Sequence, residues 1–355
     1  MAHDPRFNRE LCQVLATLCS LQIDFVLEAL AVPEDQRYRT IYISKKRGGK
    51  RVLHEPCEAL KVVQGAILPW LHRRYKLEQR FFGYMPGRSP VDNARYHIWY
   101  WRGEAHLPES MFHVDLKDAF PSARDVRLTK MFTKMFSPKK FLRLAGESMN
   151  KAIVLHRQFI ELLLYLTTYE QCLPQGAPTS PYLLNMLIGH MGILKQVDRE
   201  LSGRSYKISI YADDITVSAP GWMSWRMRRG ILTAINRTGF RVNRDKTRFN
   251  VKSHKAHCVT GVSLTLDDKG IPKLTLCQKT RNKWRRDIHY ATLALEQGRE
   301  PTFEDDGVTL DEAHGYSGWI RKVYEKHELP SDIGIPLTDF AIAYATYKST
   351  KKERW

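Results

Sequence analysis

No Cys-x-x-C pair and no Cys/His run at zinc-ligand spacing occurs in the 355 residues. The six cysteines (Cys12, Cys19, Cys57, Cys172, Cys258 and Cys277) are therefore expected to be free thiols in a reducing cytoplasm, most of them core filler. No apolar run approaches the roughly 18 residues that cross a bilayer, so no membrane partner is expected. The opening Met1-Ala2-His3-Asp4-Pro5 lacks the basic-then-apolar layout of a secretion signal. Internal repeats and low-complexity tracts are missing too. Acidic residues are in deficit, with 38 Asp and Glu against 56 Lys and Arg and a formal charge of +18. Such an excess points to a polyanionic partner, nucleic acid first. Eight Trp and sixteen Tyr supply stacking surfaces among the cations, as binders of RNA and single strands use.

The chain is organised around Tyr211-Ala212-Asp213-Asp214. Short β-prone runs with period-two alternation flank it, Tyr206–Ile210 before and Ile215–Ser218 after, which predicts a β-hairpin with the two aspartates at its tip. Adjacent carboxylates repel and must stay solvated or share a cation. A polar turn is the plainer reading until a third carboxylate joins them. Upstream, Met111–Asp115 reads as a strand ending in Asp115, with Pro121 and Ser122 starting the next helix.

In chain order, Leu11–Leu30 has helical spacing. Arg39–Ser44 and Arg51–His54 read as strands joined across Gly48-Gly49. This hairpin carries Lys45, Lys46, Arg47, Lys50 and Arg51, either as a solvated edge or as a clamp for a triphosphate. A helix over Glu58–Arg74 follows, then a loop over Phe81–Gly87 and a helix capped by Ser89-Pro90 that carries Asn93-Ala94 and His97. Arg124–Thr168 is expected to be mainly helical. Leu173–Pro181 reads as a loop feeding one long helix to about Leu201, and Trp222–Thr238 as a helix. Phe240–Asn243 and Thr247–Val251 are expected to be separate strands around Arg244-Asp245-Lys246. From Asp115 to Val251 this order is that of the split βαβ, ferredoxin-like sheet, so the fold class is α+β. Gln278–Leu295 has an apolar stripe (Trp284, Ile288, Ala291, Leu295) beside a basic one of Lys279, Lys283 and Arg286, flanked by Arg281 and Arg285. Helices around Leu310–His327 and Asp339–Tyr347 complete the chain.

Three carboxylates in one cleft suit two-metal phosphoryl transfer, and hard oxygen ligands favour Mg²⁺. Here the sequence resembles the reverse transcriptase family. The resemblance rests on Tyr-x-Asp-Asp, Asp115…Phe120, Gln175-Gly176-x-x-x-Ser180-Pro181, Gly239…Lys246 and the basic hairpin with Leu60-Lys61…Gln64, in family order over about Arg39–Leu264. It implies a right-hand polymerase: an N-terminal helical segment (1–36), fingers (37–110), a palm with some fingers helices inserted (111–265) and a helical basic thumb (266–355). It also implies that Asp115, Asp213 and Asp214 hold two Mg²⁺, and that Lys46 and Arg51 contact the triphosphate. Asp118, Ala119, Phe120 and Gln175 would line the nucleotide pocket, with Lys246 near the pyrophosphate. Phe120, five residues after Asp115, would exclude a 2′-OH, core packing being the plainer role. Asn93-Ala94-x-x-His97 and Val259-Thr260-Gly261 further resemble bacterial retron enzymes. These copy part of their own structured non-coding RNA with dNTPs into a branched RNA–DNA hybrid (msDNA), in antiphage defence beside an effector protein. Lys279, Arg281, Lys283, Arg285 and Arg286, facing outward, are expected to read that RNA. The alternatives are a group II intron-like or diversity-generating reverse transcriptase, or a silent RNA-binding scaffold.

Overall fold

The computed structural model describes residues 7–44, 49–144, 146–252, 256–325 and 329–352; Lys46 lies outside them. The apolar periodicity of the N-terminal stretch forms α1 (Arg9–Cys19), capped by the Asn8 side chain, and α2 (Ile23–Ala31). The basic run pairs as expected, β1 (Tyr38–Ser44) antiparallel to β2 (Lys50–Pro56). Then come α3 (Glu58–Arg74) and α4 (Pro90–Tyr96), which opens on a reciprocal Ser89/Asp92 capping box. His97, expected within that helix, is its C-cap. A small hairpin, β3 (Trp99–Trp101) with β4 (Glu104–His106), precedes β5 (Ser110–Lys117).

Helices α5 (Ala119–Ser122), α6 (Asp125–Met135) and α7 (Met149–Thr167) separate β5 from its partners. The single long helix expected up to Leu201 is two, α8 (Ser180–Met191) and α9 (Ile193–Glu200). They break at Gly192, whose φ of 76° is left-handed and ends the first helix. Next come β6 (Lys207–Tyr211), β7 (Asp214–Ala219), α10 (Trp225–Arg237) and β8 (Arg241–Val251). The two strands expected around Arg244-Asp245-Lys246 are one continuous β8. Its register against β5 shifts between His113 and Asp115, so the polar residues sit at an irregularity instead of in a loop. Asp115 lies inside β5, two residues short of its end.

The sheet runs β6-β7-β5-β8, antiparallel throughout, with the carboxylate-bearing strands innermost. Alternation sorts its two faces. Phe112, Val114, Leu116, Ile215 and Val217 point into the main core beneath the helices, while His113, Asp115, Asp214 and Thr216 share the opposite face. This is the ferredoxin-like palm. A second three-stranded sheet, β9 (His257–Val259), β10 (Val262–Leu266) and β11 (Pro272–Leu276), leads to α11 (Gln278–Glu296), α12 (Phe303–Asp306), α13 (Leu310–Val323) and α14 (Ser331–Lys352). Helices α11, α13 and α14 and strands β9–β11 share a separate core that also takes in Val91, Ala94 and Ile98 of the α4 region.

One expectation fails outright. Cys258 and Cys277 form a disulfide with Cα atoms 6.5 Å apart, while Cys12, Cys19, Cys57 and Cys172 are free. Spacing along the chain concealed the pair, because a sheet brings them together. Cys258 lies opposite Ser263 on β10, and Cys277 directly follows Leu276, which pairs with Val262 on that same strand. Among the described residues no helix is long and apolar enough to cross a membrane.

Candidate active site

The register of the palm sheet creates the site. Asp115 on β5 is directly opposite Asp214 on β7, and Asp213 precedes it at the hairpin tip. Leu116 N donates to Asp213 O (2.9 Å), which pins the tip to the adjoining strand. The β6–β7 turn is tight, Tyr211 pairing with Asp214 and Ala212 adopting a left-handed φ of 57°. Asp115 and Asp214 line a cavity of about 420 Å³ whose walls include Lys246, Arg248 and the Thr260–Gly261 turn.

The carboxylates crowd one another. Desolvation by the surrounding protein, then the charges of Asp213 and Asp115, raise the Asp214 carboxyl to about 6, although its side chain opens onto the cleft. Desolvation and the Asp115 charge push Asp213 up as well. This is the signature of negative charge in excess of its compensation, and hard carboxylate oxygens on two paired strands and the tip beside them suit a divalent cation. Among the described residues, no three acidic, His or Cys side chains are already drawn into a finished ligand shell. Asp115 instead accepts a hydrogen bond from Lys246 Nζ at 2.8 Å. The β8 irregularity carries Lys246 to that position, so the lysine stands where cationic charge is wanted.

The hairpin is fixed from two sides that the sequence did not reveal. Arg80 and the start of the loop expected over Phe81–Gly87 dock along β6: Phe82 N donates to Ile210 O and Ile210 N to Arg80 O, both at 2.8 Å. The chain passes so close that a Cβ on Gly83 would lie 2.6 Å from Ala212 N. Buried Asn185 on α8 holds this segment, its Nδ2 donating to Gly83 O (2.7 Å). On the other side His97, wholly buried, bridges both strands through Ser209 Oγ and Ser218 Oγ, each at 2.8 Å. Burial, then the charges of His113 and Lys207, hold His97 neutral, so it is a packing and hydrogen-bonding residue, not a base. At the start of the same helix, Thr260 Oγ1 donates to Pro90 O (3.1 Å).

The other expected residues are spread around this centre. Arg51 on β2 is exposed and near enough for its charge to act on Asp213. The Gln175 carbonyl accepts from His54 N at 2.7 Å, joining the Gln175-Gly176 loop to the β1–β2 hairpin. Asp118 turns the chain with a φ of 48°, Ala119 is buried behind it, and half-buried Phe120 packs at the margin of the main core. The five thumb cations are not all turned outward. Arg281 and Arg285 pair with Asp332, while Lys283 and Arg286 pair with Asp287, which is 2% exposed. Lys279 is exposed and has no carboxylate within ion-pair distance among the described residues.

Residues 43–289 match the family described as reverse transcriptase (RNA-dependent DNA polymerase). Retron Mx65 reverse transcriptase of Myxococcus xanthus is 29% identical over 262 residues, which are 72% of this chain and 56% of that protein. Retron Mx162 reverse transcriptase, from the same organism, is 28% identical over 297 residues, 78% of this chain and 56% of that one. Retron Ec86 reverse transcriptase of Escherichia coli is 26% identical over 248 residues, covering 69% and 68%. The chain thus spans little more than half the length of the two Myxococcus proteins.

Proposed function

Because the chain belongs to the reverse transcriptase (RNA-dependent DNA polymerase) family, we propose that it is the RNA-directed DNA polymerase of a retron. In this reading it copies part of a structured non-coding RNA into a branched RNA–DNA hybrid (msDNA), in antiphage defence beside an effector protein. The observation that carries the polymerase reading is the register that sets Asp115 against Asp214 with Asp213 alongside. The likeness to retron enzymes supports the rest.

Asp115, Asp213 and Asp214 are the residues that would hold two Mg²⁺. The bound ions would supply activation of a primer hydroxyl and neutralisation of the departing pyrophosphate. Lys246, hydrogen-bonded to Asp115, would offer its ammonium to the departing pyrophosphate. Arg51, with Lys46, binds the triphosphate, and the Gln175-Gly176 loop fixes the β1–β2 hairpin above it. Purified protein given an annealed primer on an RNA template, dNTPs and Mg²⁺ is expected to extend the primer. No extension with Mg²⁺ or Mn²⁺ would favour the silent scaffold, the reading to which the Lys246–Asp115 contact lends some support.

Phe120 selects the sugar in this scheme. Its ring is half-buried at the margin of the main core, so Phe120→Ala is expected to leave dNTP incorporation largely intact. Ribonucleotide incorporation should rise by about tenfold or more, the scale of removing a steric contact of a kcal/mol or two. Comparing rNTP with dNTP insertion on one template measures it, and an unchanged ratio returns Phe120 to a packing role.

A further inference from the structure

Across the Thr260–Gly261 turn from the carboxylates lies a second cavity, of about 390 Å³, between that turn, the start of α11 and the face of α13. Both cavities use Thr260 and Gly261 as wall, so they are neighbours. The turn is a two-residue β9–β10 connection with both residues at positive φ, 48° and 86°.

Three aromatic side chains line the far wall. Trp284 lies parallel to Tyr316, with centroids 5.0 Å apart and planes 13° apart, and Trp319 meets Trp284 edge-on at 5.3 Å. Lys283 Nζ donates to the Tyr316 hydroxyl at 2.8 Å and stands 4.7 Å from its ring centroid. Lys279, one helical turn earlier, lines the mouth. The group sits at the margin of the second core, packed against it on one side and lining the cavity on the other. Its rings are only partly buried, whereas Ile288 and Ile320 on the same two helices are fully enclosed.

Aromatic rings beside unengaged cations are how proteins hold single-stranded nucleic acid, the ring taking a base face and the cation a phosphate. The volume falls in the range of small-ligand sites. Only an unpaired base can lay its face on such a wall, since a paired base inside a stack shows only its edges. We propose that this cavity takes one unpaired nucleotide of the nucleic acid in the cleft, its base against the Trp284–Tyr316 group and its phosphate at Lys279. The inference rests on the polymerase reading of the cleft and adds a second, non-catalytic contact to it. It also recasts the thumb cations. Four of them are committed to Asp287 and Asp332, and recognition passes to the aromatic cavity and Lys279.

The test uses the full chain and an RNA–DNA primer–template with a single-stranded extension. 5-Iodouridine is walked through the unpaired RNA positions and 5-iododeoxyuridine through the unpaired DNA positions. After near-ultraviolet irradiation, peptide mapping is expected to place crosslinks from one position on Trp284 or Tyr316, lost when that position is paired; the reactive series tells which strand supplies the nucleotide. Trp284→Leu and, separately, the exposed Lys279→Ala should weaken binding of the extended substrate by about tenfold, while Trp284→Phe holds it and a blunt duplex binds all variants alike. Should Trp284→Leu misfold, the crosslink and Lys279→Ala still decide. Crosslinks only outside α11 and α13, or equal effects on extended and blunt substrates, would overturn the proposal. Wild-type extension of a primer annealed to an RNA template that continues unpaired beyond the primer 3′ end runs in parallel. If extension fails, the polymerase reading is at fault; if it succeeds without the crosslink, the cavity is.

Discussion

Asp214→Asn is expected to abolish templated DNA synthesis and to make the metal-free protein more stable at neutral pH. Both effects have one cause. Asn keeps the shape but removes a charge that sits beside those of Asp213 and Asp115 and is partly desolvated by the cleft wall. For activity that charge is indispensable, since it would help to offset divalent ions; a loss of at least about a thousandfold is expected, the upper range for one electrostatic element of a catalytic site. For stability it is a burden. The folded-state value of about 6 exceeds the ordinary 3.8. Between these values the native protein therefore binds more protons than the unfolded chain, and stability falls as pH rises through that window. At pH 7 Asp214 is ionised in both states, and the native state carries the repulsion. Since the side chain is open to solvent, screening leaves a modest effect, a gain of about 1–3 °C in melting temperature. Melts of wild type and variant at pH 4 and pH 7.5, without divalent ions, should diverge only at the higher pH. Because protons and the cation compete for one carboxylate, wild-type extension is expected to fall at acid pH, at a pH that drops as the cation concentration rises. A variant that is inactive and also less stable at pH 7.5 would refute the charge argument.

Gly83→Ala is expected to be nearly as damaging to activity, from a residue that touches no substrate. The added Cβ would lie 2.6 Å from Ala212 N and 3.0 Å from Tyr211 C, both backbone atoms of the catalytic turn. Neither can rotate away as a side-chain end would. The loop could retreat only by stretching the hydrogen bonds of Phe82 N and of Asn185 Nδ2, so the tip moves instead. A displacement near 1 Å at reacting groups costs about a hundredfold, whereas overpacking of this kind costs about 1–3 kcal/mol of stability. Single-turnover extension should therefore collapse in a protein that still melts cooperatively. Gly65→Ala is the control, since that α3 position has open space around it and should if anything gain helix stability. Equal activity of the two variants would show that the turn is not held by this contact.

How much of this was legible follows from the range over which each feature is encoded. Period-two alternation in β5 and β7 is local, and it sufficed to place Asp115, Asp213 and Asp214 on one sheet. The left-handed break at Gly192 was also local, but an isolated glycine in an apolar helical pattern does not by itself stop a helix. Gly83, Asn185 and His97 act on partners about a hundred residues away, and no spacing rule reaches that far. The Cys258–Cys277 pair and the partnership of Arg285 with Asp332 were hidden in the same way. Lys283 and Asp287 were different. Their i, i+4 spacing on α11 announced an ion pair, yet the attraction of reading every cation as a phosphate contact masked it.

The short helix α4 has a consequence for distance-keeping. Seven residues long, it measures about 10 Å. Pro90 at one end receives Thr260 from the wall of the cleft, and His97 at the other joins both strands of the hairpin that ends in Asp213 and Asp214. A helix so short and so enclosed does not flex, so the Thr260–Gly261 turn and the carboxylates keep a set offset, as two marks on a ruler do. The helices that follow pack on the same core as α4, and Lys322 pairs with Asp92, so they are referred to the same gauge.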